Sequence, residues 1–283
     1  MTAITMRHAE IIQKLGEFYT LLAQLGSFEP SLVQIPSPDA PAPIRRTAAL
    51  GAGYTEEVVN LMEQLPYISK GPNIWDPEIF GSTEPIDYTK CENENAFRTW
   101  REYDDGQDQE DEDGNPDLIP GSLVKLTEIH LYGITLLYDT QTCLLIPWQP
   151  FENPDDTIGY AHVPAKRPSE VLNPWIEGYR TFNFMHTPQG NLWDTERLRP
   201  DPPEHLGPKA QAKWWATRAV DEALFKLKDV YLECGWNMTS PVQHTFDRAK
   251  FIEMRKQYID EVVLPLKRKE HEAWKAPHQP DEL

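Results

Sequence analysis

The segment at residues 118–151, LIPGSLVKLTEIHLYGITLLYDTQTCLLIPWQPF, decides the fold class of this chain. Between residues 122 and 147 it is dominated by β-branched, aromatic and leucine side chains, which favour strands. The sequence DTQT at residues 139–142 supplies turn-forming side chains, and residues 143–148 return as a further strand. The nearly continuous apolar run at residues 134–138 predicts a strand buried on both faces, so helices should cover at least one side of the sheet.

Helical patterns flank this segment on its N-terminal side. In residues 5–25, apolar side chains recur at three- and four-residue steps, which predicts a helix that Gly26 ends. A second helix is predicted between Thr55, which can cap it, and Pro66, which stops it. The proline-rich residues 30–43 between these helices are typical of an extended connector.

The C-terminal third predicts further helices. A short helix should follow Pro168, with Ser169 as its cap. Two long helices are predicted at residues 208–234 and 246–273, the second kinked or interrupted at Pro265. We therefore predict an α+β fold, in which a small, mainly antiparallel or mixed sheet is backed by helices and followed by a C-terminal antiparallel helical pair.

The domain boundaries follow from these patterns. Residues 1–185 are expected to form the α+β core, including the N-terminal helix and an acidic loop at residues 102–117. Residues 205–275 should form the helical pair, packed on the core, and residues 276–283 a tail. The proline- and glycine-rich stretch around residues 187–208 is the expected boundary.

Composition narrows the classes of partner. The chain has 283 residues and a formal net charge of −18, which opposes binding to a nucleic acid backbone. No apolar run approaches the roughly 20 residues that a membrane span needs, and the N-terminus lacks a signal-peptide core. We therefore predict a cytoplasmic protein with no membrane and no nucleic acid partner. The three cysteines lack a CxxC pair, so neither a disulfide framework nor a metal site is predicted.

The loop at residues 102–117 carries nine carboxylates and no basic residue. Internal repulsion and few apolar side chains favour a solvated loop. A calcium loop is an alternative, because Asp111 and Asp113 precede Gly114, but its first and twelfth positions would then be Gln109 and Pro120. Recruitment of a basic partner is the third interpretation.

Motifs for catalysis are mostly missing from the sequence. There is no nucleophile elbow, P-loop, dinucleotide fingerprint or HExxH pair, and no catalytic residue or cofactor is predicted. Cys143 lies in an apolar run without a neighbouring cation, which argues against a nucleophile. Since catalytic groups converge in space rather than in sequence, a small-molecule enzyme that uses His130, Asp139 or His162 stays open.

Some of the nine tryptophans lie at element ends or in loops, where an indole can serve as an interface anchor. Trp75, Trp148, Trp175 and Trp193 are of this kind. The alternative is that large aromatic residues fill the space between the sheet and the helices. Burial in a structure distinguishes the two interpretations.

Several blocks of the chain, spread over residues 50–182, resemble those of a family of filamentous-fungal proteins. The blocks are Leu65-Pro66-Tyr67, Ile119-Pro120, Tyr132-Gly133, Tyr138-Asp139-Thr140, Trp148 with Phe151, and residues 171–176. The order of elements is also similar to that of the SUKH superfamily of fungal cell-wall-synthesis regulators and bacterial toxin-immunity proteins. This resemblance implies an α+β fold that acts through protein contacts, without catalytic residues to carry over.

The preferred hypothesis is therefore a non-enzymatic protein-interaction or regulatory module with a protein partner. The candidate binding residues combine the tryptophans with residues of the shared blocks: Trp75, Tyr132, Asp139, Trp148, Phe151 and Trp175. A small-molecule enzyme and an acidic-loop recruiter of a basic partner are the alternatives.

Overall fold

The computed structural model describes residues 7–69, 78–102, 117–129, 133–149, 159–186, 192–194, 199–240 and 243–275. The chain divides into two compact units, Met1–Glu177 with Gly190–Leu192 and Gly178–Gln189 with Trp193–Leu283. Small antiparallel sheets and several helices together make an α+β fold, as predicted.

The helices in the described part of the chain are α1 Ala9–Gln24, α2 Arg46–Gly51, α3 Glu56–Met62, α4 Glu94–Thr99, α5 Pro168–Arg180, α6 Pro208–Glu233, α7 Arg248–Tyr258 and α8 Leu264–Lys275. The strands are β1 Val33–Gln34, β2 Tyr67–Ile68, β3 Thr83–Pro85, β4 Leu123–Lys125, β5 Thr127–Ile129, β6 Thr135–Asp139, β7 Leu144–Trp148, β8 Phe184–His186 and β9 Leu192–Asp194. Within the described residues, no helix combines the length and the apolarity that a bilayer crossing requires.

The central sheet has three antiparallel strands in the order β4-β6-β7. The middle strand is closed off on both faces, since Leu136, Leu137 and Tyr138 are all buried. The prediction of a strand buried on both sides is thus confirmed, and so is the hairpin whose turn begins after Asp139.

A buried threonine forms the corner between β4 and β5. The hydroxyl of Thr127 accepts a hydrogen bond from the backbone N–H of Leu136 at 2.7 Å and donates one to the carbonyl of Ile134 at 2.8 Å. These bonds satisfy backbone groups of β6 where β5 diverges from it. β5 then pairs with β3 in a second, two-stranded sheet, with Glu128 opposite Glu84.

The first unit begins with helices whose ends follow the sequence signals. Gly26 adopts a left-handed φ of 75° just after α1, as the C-terminal glycine signal predicts. Thr55 caps α3 by accepting a hydrogen bond from the backbone N–H of Val58 at 3.3 Å. Helix α5 differs from the prediction, because it begins at Pro168. Ser169 therefore lies inside the first turn and donates to Glu10 instead of capping the helix.

The second unit contains the predicted C-terminal helical pair. Val220 and Leu224 of α6 pack against Val263, and Tyr231 of α6 stacks on Phe251 of α7 with ring centroids 4.0 Å apart. A π-helical turn, Ile259–Val263, joins α7 to α8. Because Pro265 has no N–H and crowds the preceding turn, a widened turn here keeps the helix continuous where the sequence predicts a kink or an interruption.

A buried arginine joins two loops of the first unit. The side chain of Arg101 is 9% exposed, and its Nε and Nη2 donate to the carbonyl of Ile119 at 3.2 Å and 2.7 Å. Its Nη1 donates to the carbonyl of Ala52, and the guanidinium lies 5.5 Å from the ring centroid of Tyr54. Since hydrogen bonds from charged donors are stronger than neutral ones, this residue fixes the two loops against each other.

We expect Arg101→Met to lower the free energy of unfolding by about 3 kcal/mol, because two buried carbonyls lose their charged donor. Urea unfolding monitored by circular dichroism measures the change. Arg98→Met, at an exposed position of α4, should change stability by less than about 0.5 kcal/mol. Equal effects of the two substitutions would contradict a structural role for the buried guanidinium.

The same loops approach each other at Gly121. Its carbonyl accepts from the backbone N–H of Thr55 at 2.9 Å, and a Cβ on Gly121 would lie 2.0 Å from the carbonyl oxygen of Gly53. Backbone atoms cannot yield as a flexible side chain can. Only glycine therefore fits this contact.

Gly121→Ala should destabilise the protein by about 3 kcal/mol, the upper part of the range for overpacking. Thermal and urea unfolding of the variant check this. Gly16→Ala is the matched control, since its Cβ would lie 3.7 Å from Ile35 and the change favours α1 by up to about 1 kcal/mol. A stable Gly121→Ala variant would show that the loops can separate without cost.

Candidate functional site

Three of the six predicted binding residues lie within the described residues. These are Asp139, Trp148 and Trp175. Trp75, Tyr132 and Phe151 lie outside them, so their binding role stays a prediction.

Both described tryptophans are core residues. Trp148 is 3% exposed and packs with Ile119, Leu123 and Leu137. Trp175 is 6% exposed and stacks on Phe80, with ring centroids 4.3 Å apart. Neither indole offers a face to a partner, so the space-filling interpretation describes these two residues better than the anchor interpretation.

Asp139 closes the hairpin turn. Its carboxylate accepts from the backbone N–H of Gln141 at 2.9 Å and from the hydroxyl of Thr142 at 2.7 Å. His162 is exposed, and no hydrogen bond joins it to Asp139 in the described structure. His130 lies outside the described residues. Among the residues that the structure describes, the acid and base groups proposed from the sequence are therefore not brought together.

A pocket of about 410 Å³ lies instead between β3, β5 and the C-terminal half of α4. Its polar wall is acidic, with the carboxylates of Glu84, Asp87 and Glu128. Its apolar wall includes Ile86 and the half-buried Trp100. The volume is at the small end of ligand pockets, which suits one side chain or a small ligand.

The sheet register places two of these carboxylates on one face. Glu84 of β3 and Glu128 of β5 are direct antiparallel partners, and directly opposed residues project to the same side. Like charges in such a pair destabilise a sheet. A cation bound between them would reverse the sign of this interaction.

The carboxylate of Asp87 is only partly hydrogen-bonded within the described chain. The residue is 9% exposed, and its Oδ1 accepts from the backbone N–H of Thr89 at 3.0 Å and from the Thr89 hydroxyl. Its Oδ2 is buried and has no hydrogen-bond partner. Since leaving a buried charged acceptor unsatisfied is costly, a donor in the pocket would stabilise this carboxylate once the side chain turns toward it.

The apolar wall has a fixed geometry. Trp100 lies beside the thiol of Cys91, and this thiol donates to the carbonyl of Ala96 at 3.8 Å. Burial raises the pKa of Cys91 to about 11, so this thiol is not a nucleophile near neutral pH. An indole held beside carboxylates can contact both the aliphatic stem and the charge of a cation.

Lys90 is the one basic residue among those that line the pocket. It is exposed, and it makes no ion pair with the other residues that the structure describes. An exposed lysine retains its hydration and its side-chain freedom, so it competes weakly with a ligand for the pocket carboxylates.

The acidic segment begins beside this pocket. Residues 103–116 add seven carboxylates. The segment leaves the described fold at Glu102, which forms a bridge to Leu118, and the pocket residues Thr99 and Trp100 lie just before it. The pocket carboxylates and the acidic segment that follows Glu102 in the sequence both carry negative charge, which attracts basic ligands.

Part of this site has a local sequence signal. Asp87-Tyr88-Thr89 is a typical turn in which an aspartate side chain bonds the backbone two residues later. The pairing of Glu84 with Glu128 has no such signal, because it depends on which strands become neighbours. Trp100 and Cys91 likewise meet only through the fold.

The fold and the pocket together define the class: an α+β protein with an acidic pocket beside a carboxylate-rich segment. Within the described residues, no three histidine, cysteine, aspartate or glutamate side chains converge closely enough to hold a metal ion. Comparison with family models, curated proteins and solved structures gave no match to this chain. The likeness to the filamentous-fungal family and to the SUKH superfamily thus stays a prediction.

We expect Asp87→Asn to raise the free energy of unfolding by about 1 kcal/mol, because the amide keeps the acceptor for Thr89 and removes a buried charge. Asp87→Ala removes the turn as well as the charge, and should lower stability. Urea unfolding of both variants checks this; equal destabilisation by the two would show that the charge itself stabilises the fold.

Proposed function

We propose that this protein is a non-enzymatic binding module whose acidic pocket takes a lysine or arginine side chain of a partner protein. The observation that carries this proposal is that Glu84, Asp87 and Glu128 line one pocket together with Trp100. An ammonium or guanidinium group in this pocket would be attracted by these carboxylates.

The shape and chemistry of the pocket favour a cation on an aliphatic stem. Ile86 and the indole of Trp100 can pack against methylene groups, while the carboxylates bind the charged end. Lysine and arginine side chains have this arrangement of apolar stem and terminal donors. A bare inorganic cation would leave the apolar wall unused.

The surroundings favour a basic protein segment over a free amine. The seven carboxylates of residues 103–116 follow the pocket residues Thr99 and Trp100 in the sequence, and so many charges favour a partner with several basic residues. The net charge of −18 opposes a phosphate backbone, which supports a protein partner over a nucleic acid. The resemblance to the SUKH superfamily, which implies action through protein contacts, agrees with this proposal.

Fluorescence anisotropy with labelled peptides tests the proposal. A peptide of alternating lysine and glycine should bind the full chain, whereas an alternating glutamate and glycine peptide should not. Asp87→Asn and Glu128→Gln should each weaken the basic peptide by at least about tenfold, which is about 1.4 kcal/mol. Glu92→Gln is the matched control, since it removes one carboxylate at an exposed position outside the pocket.

Salt and a deletion separate the pocket from the acidic segment. Deleting residues 104–113 should weaken binding at low ionic strength and have little effect at high ionic strength, because exposed charges are screened. Retained affinity in both pocket variants, with loss only on deletion, would reject the pocket and favour the acidic segment as the recruiter. If butylamine competes as well as an equal concentration of peptide lysine side chains, the ligand is a small amine.

A further inference from the structure

A second group of reactive side chains lies in the first unit, away from the residues that line the acidic pocket. It combines Arg7 and His8 ahead of α1, Glu57 in the first turn of α3, Tyr138 on β6, and Cys143 at the end of the hairpin turn. The chain positions are far apart, so only the fold brings a thiol, an imidazole and a carboxylate together.

The imidazole of His8 connects the group. Its Nε2 lies 3.2 Å from Oε1 of Glu57, and its Nδ1 lies 2.9 Å from the hydroxyl of Tyr138 and 3.8 Å from Sγ of Cys143. Because a carboxylate only accepts, Nε2 carries the proton and the Nδ1 lone pair faces the hydroxyl and the thiol. Burial lowers the pKa of His8, so the imidazole is a neutral proton acceptor at neutral pH.

Arg7 supplies a cation on the solvent side. Its guanidinium donates to Glu57 and, at 2.7 Å, to the carbonyl of Gln141. A hydrogen bond with the Cys143 side chain is the main reason that the pKa of Arg7 is raised. The sequence-based statement that Cys143 lacks a neighbouring cation is therefore wrong, because that cation comes from the other end of the unit.

Cys143 is also presented differently from the other cysteines. It is half-buried, whereas Cys91 and Cys234 are buried and burial raises the pKa of both thiols. Its backbone has a φ of 60°, in the left-handed region that favours glycine, and its N–H is fixed by the carbonyl of Asp139 at 2.8 Å. The structure thus holds a non-glycine residue in a costly conformation beside a base.

We propose that Cys143 is a nucleophilic thiol that small hydroperoxides convert to a sulfenic acid. Nδ1 of His8 accepts the thiol proton, and the sulfur attacks one oxygen of the peroxide. An S–O bond forms as the O–O bond breaks, and the sulfur gives up two electrons to the peroxide. The departing oxygen takes a proton and leaves as water or an alcohol, so that Cys–SH and ROOH become Cys–SOH and ROH.

The geometry favours a hydroperoxide over a bulky acyl substrate. His8 has no exposed surface, so it can exchange a proton with the adjacent thiol but cannot reach a large leaving group. Arg7 is exposed and can donate a hydrogen bond to the departing oxygen. A small, neutral oxidant requires only the partial access that half-buried Cys143 offers.

Site-resolved mass spectrometry of the reduced, full-length protein tests this assignment. After a short hydrogen peroxide treatment at neutral pH, dimedone should label Cys143 at least tenfold more than Cys91 or Cys234. Iodoacetamide should show the same order of rates. His8→Gln, which keeps polar contacts but removes the base, should slow both reactions at Cys143 by about tenfold. His162→Gln, at an exposed histidine, is the matched control.

Two results would overturn the proposal. One is labelling of Cys143 within twofold of the buried cysteines. The other is an unchanged rate in a folded His8→Gln variant, since exposure alone would then explain the labelling. If His8→Gln lowers the melting temperature so far that it unfolds, Glu57→Gln replaces it, because losing the charge that holds the imidazole tautomer should slow the same reaction.

Discussion

The buried guanidinium of Arg101 is the contact on which the arrangement of the first unit depends. Its charge is balanced by the carbonyl dipoles of Ile119 and Ala52 and by the face of Tyr54, without a carboxylate among these contacts. Backbone carbonyls have fixed dipoles. The loops that carry them must therefore approach the guanidinium from the directions in which its N–H groups point. The backbone carbonyl of Arg101 also accepts from the N–H of Ile119 at 2.8 Å, so main chain and side chain act on the same place.

The acidic pocket has the opposite energetics. Arg101 has acceptors for its buried donors, whereas Asp87 keeps a buried oxygen without a donor among the described residues. Functional sites commonly retain such local conflicts, because a group that is fully satisfied within the chain has nothing left to offer a ligand. The core around Trp148 and the aromatic stack at Trp175 supply stability elsewhere in the unit.

Local signals in the sequence predict much of the fold. Helix α1, the Thr55 cap, the central hairpin and the C-terminal helical pair all depend on periodicity, capping or turn chemistry within a few residues. The same reasoning was wrong for Ser169, because Pro168 starts the helix by itself and frees the serine to bind Glu10. The exposure of an indole is set by what packs over it, so sequence could not decide between the anchor and core roles of Trp148 and Trp175.

The sites were less predictable than the fold, for a physical reason. Glu84 meets Glu128 through strand pairing, and Cys143 meets His8 across 135 residues, so neither contact leaves a spacing that can be read along the chain. The negative motif search therefore excludes familiar local geometries and says little about groups that converge from separate elements. Asp139, by contrast, carries out the turn role that its DTQT context indicates.

The contacts of Arg101 hold together the two positions between which the acidic segment lies in the sequence. Glu102 and Leu118 form a β-bridge, so the chain leaves the described fold and returns to it at one fixed place. The entropic cost of holding two chain positions together grows only slowly with the number of residues between them, so a change of length between Glu102 and Leu118 should cost the fold little. The stretch between Glu102 and Leu118 is thus a suitable insertion site, where a foreign epitope or reporter could be added without redesign of the first unit.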